Sequence, residues 1–183
     1  MTEGLAALPT YDAQGGLLAV VEAPRGSANK LKFDPATGVL FAHKVLPPGC
    51  VFPFDFGFIP ATLGEDGDPL DVLVLMDEPV PPGVAVPCRL VGVIEATQCE
   101  ADDSGGARSL RNDRLLAVAD KTHRFATVRT LEDLGAPLLD EVEAFFVFYN
   151  DRFGKRFTLL RRADAAEARR LVSDGQAAFS NRR

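Results

Sequence analysis

With 183 residues, 46% of them hydrophobic and 25% charged, the chain has the length and composition of one globular domain, 1–183. Its formal net charge of −6 argues against a nucleic-acid or membrane-surface binder, so a site for an anionic substrate must gather its own positive charge or recruit metal. No window suits a membrane span, Met1–Gly16 lacks the basic start of a signal peptide, and Cys50, Cys88 and Cys99 are spaced like reduced thiols, which together predict a cytoplasmic protein.

In chain order, the apolar run Leu17–Glu22 predicts a strand that Pro24-Arg25-Gly26-Ser27 breaks. Lys30–Phe33 alternates polar and apolar residues, and the turn cluster Asp34–Gly38 leads into a strand over Val39–Val45. Strands follow over Phe52–Ile59, Val72–Leu75 and Val84–Thr97. The stretch from Gln98 to Arg114 is polar, contains glycine and carries Glu100, Asp102, Asp103 and Asp113, which reads as an insertion near 98–113, either a long surface hairpin loop or a partly disordered segment. Leu115–Ala119 and Phe157–Leu160 complete the strands. Leu138, Val142, Phe145, Phe146 and Tyr149 recur at helical spacing over Pro137–Arg152, and a C-terminal helix near 163–178 opens with Asp164 as a cap. Short strands followed by two late helices predict an α+β fold, a small closed barrel with helices packed outside it.

Asp66-Gly67-Asp68-Pro69-Leu70-Asp71 runs directly into Val72-Leu73-Val74-Leu75. Asp-Gly and Asp-Pro are favoured turn dipeptides, so two surface aspartates need no further explanation. Asp71 is different. Along the strand it shares a face with Leu73 and Leu75, while Leu70, Val72 and Val74 take the other. A strand apolar on both faces is buried, so its leading carboxylate needs a partner, and crowded carboxylates suit a hard cation such as Mg²⁺, Mn²⁺ or Ca²⁺. An EF-hand is excluded, because its glycine position would hold Asp71. Lys30 and Lys32 project from one side of a strand, and Lys44 ends the next. Lysines of this kind often guard sheet edges. Beside metal-gathering acids they suit a phosphate-rich substrate.

Asp66–Asp71 with the following Val/Leu run resembles the signature of family I soluble inorganic pyrophosphatases. The likeness extends to Val20–Pro24, Asn29-Lys30, Thr37–Phe41, Phe52–Pro60, Pro82-Gly83, Arg89–Val93 and the stretch with Tyr149, Gly154 and Lys155, covering about Leu17 to Arg162. The resemblance implies a five-stranded OB-type barrel with flanking helices, a homo-oligomer, and Mg²⁺-dependent hydrolysis of pyrophosphate or a related diphosphate, with Mn²⁺ as a substitute metal. It implies that Asp66 and Asp71 bind metal and that Asp68 is the general base. Glu22 would lie at the rim, Lys30 and Lys44 would counter phosphate charge with Arg114 at a lysine position, and Tyr149 would donate a hydrogen bond to the phosphate, while Lys32 is a candidate for the substrate from its place beside Lys30 alone.

The chain departs from the family's pattern at several of these places. Lys32 replaces a glutamate that helps hold a substrate-borne metal, Asn150 replaces a phosphate-binding lysine, and Phe52, Phe56 and Phe58 stand at tyrosine positions. The later acidic segment is broken up: Gln98 and Asn112 fall at its two acidic positions, and Asp103 and Asp113 are the carboxylates that could return to the metals. Three functional readings follow: a metal-dependent diphosphatase, a non-catalytic relative binding metal, phosphate or a protein partner, and an unrelated barrel module whose turn mimics the motif. The breadth of the match disfavours the third, and the retained Asp68 favours the first.

Overall fold

The computed structural model describes residues 4–101 and 107–182. Nine strands and two α-helices lie among them: β1 (Leu17–Ala23), β2 (Asn29–Asp34), β3 (Val39–Val45), β4 (Asp55–Phe58), β5 (Asp71–Leu75), β6 (Ala85–Ala101), β7 (Ala107–Arg111), β8 (Arg114–Ala119), α1 (Ala136–Arg152), β9 (Arg156–Asp164) and α2 (Ala165–Asn181). One mixed sheet runs β1-β4-β5-β8-β6-β7, with β9 added to β6 and β1 also paired to β6. The strands β1, β4, β5, β8 and β6 therefore form a ring of pairings, and β2 and β3 form a separate hairpin.

The ring's strands are apolar on both faces, and each face has its own cover. Leu73 and Leu75 join a cluster with Phe56, Leu116 and the α1 residues Leu139, Val142, Phe146 and Tyr149. Val72 and Val74 face the other way, into a cluster with Val21, Leu115 and the α2 residues Ala168 and Val172. The period-2 reading of β5 is thus what places it between two cores. The Asp164 cap is formed: its Oδ1 accepts from the Glu167 amide at 2.9 Å.

The polar stretch beyond Gln98 contributes to a β-hairpin, with more of it in strand than a surface loop would have. β6 continues to Ala101, and β7 pairs back antiparallel from Ala101↔Ala107 to Thr97↔Arg111. Pairing along a neighbouring strand outweighs weak strand propensity here, as it often does at an edge. Asp102 and Asp103 lie outside the described residues.

Gly57 marks where β1 and β4 approach most closely, since a Cβ there would lie 1.9 Å from the Val20 carbonyl oxygen. Gly57→Ala therefore has to push two buried backbones apart, which costs about 3 kcal/mol or more. We expect its thermal midpoint to fall by roughly 6–12 °C, and a midpoint within about 2 °C of the wild type would contradict this close approach.

Candidate active site

The Asp66–Asp71 loop is built by its own side chains. Asp66 Oδ1 accepts from the Asp68 amide at 3.1 Å, Gly67 takes a φ of 86° that a glycine adopts without strain, and the Gly64 amide donates to the Asp68 carbonyl at 2.7 Å. Thr62 ties the loop to the sheet, donating to the Ile59 carbonyl at 2.6 Å and accepting from the Leu70 amide at 3.1 Å. The three carboxylates then line one cavity of about 990 Å³, together with Glu22, Lys30, Lys32, Lys44, Arg114 and Tyr149. Of the sequence-predicted site residues within the description, only Asp113 is missing from that cavity's lining.

Asp113 is turned away from it. Its Oδ1 accepts from the Ala96 amide at 2.9 Å and its Oδ2 from Arg111 at 3.0 Å. Its neighbours Asn112 and Arg114 line the cavity instead, as alternation along an extended chain requires. The expectation that Asp113 returns to the metal cluster is therefore corrected. Asp103 lies outside the described residues. What the cavity holds from this segment is an amide pair, Asn112 Nδ2 donating to Gln98 Oε1 at 3.3 Å.

Two of the aspartates already have cationic partners. Lys32 Nζ donates to both oxygens of Asp68, at 2.7 and 2.9 Å. Arg114, only 3% exposed, places Nη1 2.7 Å from Asp71 Oδ2. The same nitrogen donates to the Asn112 side-chain oxygen and, at 3.0 Å, to the Asn112 and Asp113 carbonyls. The guanidinium lies 4.9 and 5.0 Å from the rings of Phe146 and Phe157, which suits a delocalised cation. Its Nε is buried without a hydrogen-bond partner.

The hairpin supplies the remaining positive charge. Lys30 and Lys44 are paired residues across β2 and β3, an arrangement of like charges that favours an anion between them. Aromatic faces hold them: Lys30 Nζ is 5.3 Å from the Phe56 ring and 5.6 Å from the Tyr149 ring, and Lys44 Nζ is 4.6 Å from the Phe153 ring. Burial, and then the ammonium groups of Lys44, Lys30 and Lys32, push the His43 imidazole below its usual range, so the hairpin carries a positive field. Asp66 is shifted the other way, raised by burial first and then by the charges of Asp71 and Asp68. Glu22, which sits at a bulge between Val21 and Ala23, accepts from the Phe33 amide at 2.6 Å. Burial raises its carboxyl to about 7, the Phe33 amide opposes this, and the Asp71 charge adds to it.

The tyrosine-to-phenylalanine departures act mostly elsewhere. Phe52 and Phe56 are buried in the core, stacked 5.3 Å apart, and of the three only Phe58 lines the cavity. Asn150 does line the cavity, but it is buried and its amide donates to the Phe146 carbonyl of its own helix at 2.8 Å. Arg182 lines the cavity from beyond the end of α2, a contribution with no local sequence signal. No cysteine lines it, and burial pushes the Cys88 thiol up to about 12.

A family model described as inorganic pyrophosphatase matches residues 19–180. The chain belongs to the inorganic pyrophosphatase family. It is 40% identical over 163 residues to the inorganic pyrophosphatase of Leifsonia xyli, covering 88% of this chain and 93% of the relative. It is 34% identical to that of Nostoc, covering 96% and 98%. The crystal structure of the Thermus thermophilus inorganic pyrophosphatase superposes with a TM-score of 0.83 at 32% identity, over 97% of this chain and 99% of that one. Against this family background the donor chemistry suits a hard ion: Asp66 and Asp71 each keep a carboxylate oxygen outside the contacts above, and one or two carboxylates completed by water and substrate oxygens are what Mg²⁺ ordinarily takes. No group of three or more His, Cys, Asp or Glu side chains among the described residues is arranged to hold a metal alone.

Glu22 gives a pH test. The unfolded carboxyl titrates at the ordinary 4.5 and the folded one at about 7, so the folded chain holds an extra proton between those values. Stability contributed by Glu22 is full below 4.5 and is lost as pH rises through 7, by roughly 3 kcal/mol in all. In metal-free protein the wild-type thermal midpoint should fall relative to that of Glu22→Gln between about pH 5 and pH 8. Parallel curves would contradict the burial of this carboxyl.

Proposed function

We propose that the chain hydrolyses inorganic pyrophosphate to two phosphates in a reaction that depends on a divalent metal, Mg²⁺ in the first place with Mn²⁺ able to replace it. The observation that carries this reading is the convergence of Asp66, Asp68 and Asp71 with Lys30, Lys44, Arg114 and Tyr149 on one cavity, in a member of a metal-dependent family. Asp66 and Asp71 hold the ion, which when bound supplies positive charge to the phosphate oxygens and makes water a stronger acid. Asp68 accepts a proton from the attacking water as its oxygen bonds to one phosphorus. The bond from that phosphorus to the bridging oxygen breaks, and the second phosphate leaves with the bridging oxygen. Lys30, Lys44 and Arg114 neutralise the charge that develops, and the Tyr149 hydroxyl donates to a phosphate oxygen. Glu22 stands beside the hairpin and helps set its position through the Phe33 amide.

The rest of the reading follows from the same support. We take the ring of strands as a closed five-stranded OB-type barrel, since β1 pairs on both its sides. A cytoplasmic homo-oligomer fits the exposed apolar side chains Phe41, Val45, Phe148 and Leu160, and no helix among the described residues is long and apolar enough to cross a membrane. A second reading, binding without turnover, is favoured by the engagement of Asp68 with Lys32.

Phosphate release from pyrophosphate separates the two. With Mg²⁺, the wild type should release phosphate, and Asp68→Asn should lose at least about 100-fold in rate, the low end of general-base contributions. Equal rates in the two proteins would remove Asp68 as the base, and no release by the wild type would leave the binding reading.

A further inference from the structure

The cavity's five carboxylates face six lysine and arginine side chains, and the pairing among them is uneven. Lys32 occupies both oxygens of Asp68. Arg114 occupies one oxygen of Asp71. Asp34 is held within its own turn, by the Ala36 amide at 3.0 Å and the Thr37 hydroxyl at 2.7 Å. Glu22 Oε1 is taken by the Phe33 amide and Asp66 Oδ1 by the Asp68 amide. The amide pair restores no carboxylate charge, and both its oxygens are already engaged, Gln98 Oε1 accepting from Asn112 and Asn112 Oδ1 from Arg114. Among the described contacts, this leaves one oxygen each on Asp66 and Asp71 at the head of β5, and one on Glu22.

We propose that Lys32 and Arg114 are resident cations that stand where further divalent ions would otherwise be needed, so that the chain holds its diphosphate with a single metal ion. An ammonium 2.7 Å from Asp68 satisfies the charge an ion would satisfy there, and it repels a second divalent ion at that short range. Arg114 is the more permanent of the two. Its guanidinium cannot deprotonate, it is enclosed by aromatic rings, and the same nitrogen that pairs with Asp71 also donates to three oxygens of Asn112 and Asp113. Lys32 is more exposed, with 44% of its side chain accessible, which makes it the cation that a substitution can remove without disturbing the core.

The inference rests on the diphosphate-binding reading of the site and is tested by a count that does not depend on turnover. Equilibrium dialysis with Mn²⁺ and methylenediphosphonate, a non-hydrolysable diphosphate, should give one Mn²⁺ per wild-type chain. Lys32→Met, which frees Asp68 without adding an oxygen ligand, and Lys32→Glu, which also adds one, should each bind one more ion, with unchanged circular dichroism showing that both are folded. Any wild-type count other than one overturns the proposal. So does a count unchanged in both variants, or one that rises in Lys32→Glu alone, which would be an added ligand and not a displaced cation. Phosphate release by the wild type is scored separately: its absence at a count of one overturns the hydrolytic reading only, and its presence at a count of two or more overturns the present inference only.

Discussion

Carboxylates gathered at the end of a buried strand repel one another unless positive charge is held among them, and the geometry around β5 answers that constraint. The parallel register Val72↔Leu115 sets the heads of β5 and β8 side by side, so Asp71 and Arg114 meet as a consequence of strand pairing. The β2–β3 hairpin lies outside the ring and brings lysines to the cavity on its paired residues. The helix α1 contributes the aromatic faces of Phe146 and Tyr149, against which Arg114 and Lys30 rest. Charge balance at one strand end thus connects the hairpin, the ring and the first helix.

Holding such a cluster has a cost to stability. Arg114 is enclosed with its Nε unsatisfied, and buried ion pairs seldom repay their full desolvation. Asp66 and Glu22 are both pushed towards their neutral forms by burial. A core built for stability alone would place apolar groups at these positions, and strain of this kind collects where a ligand is bound. Any divalent ion or anion that enters the cavity therefore binds to groups already held in position, which reduces what must be ordered on binding.

Much of this was legible in the residues. Short apolar runs located the ring strands, period-2 alternation assigned the two faces of β5, helical spacing located α1, and Asp164 was recognisable as a cap because its side chain has a local duty. The apolar faces of Leu73 and Leu75 gave Asp71 its meaning before any coordinates. The outward turn of Asp113 also has a signal in the residues, because Arg114 faces the cavity and its immediate neighbour on an extended strand faces the other way. For the edge strand β7 a hairpin was legible but not the extent of its pairing, which depends on the partner strand more than on its own composition. The contribution of Arg182 comes from a residue distant in sequence, whose approach to the loop is set by the packing of α2 across the sheet.

The pairing of Lys32 with Asp68 is where the chain departs most sharply in charge from the pattern its family resemblance implies, and it bears directly on how many ions the cavity takes. Anomalous diffraction from crystals grown with Mn²⁺ and a non-hydrolysable diphosphate would locate every ion at once. One Mn²⁺ peak is expected, ligated through Asp66 and Asp71, with the Lys32 ammonium still on Asp68. Further peaks against Asp68, Gln98 or Asn112, or a Lys32 side chain displaced from Asp68 by metal, would contradict it.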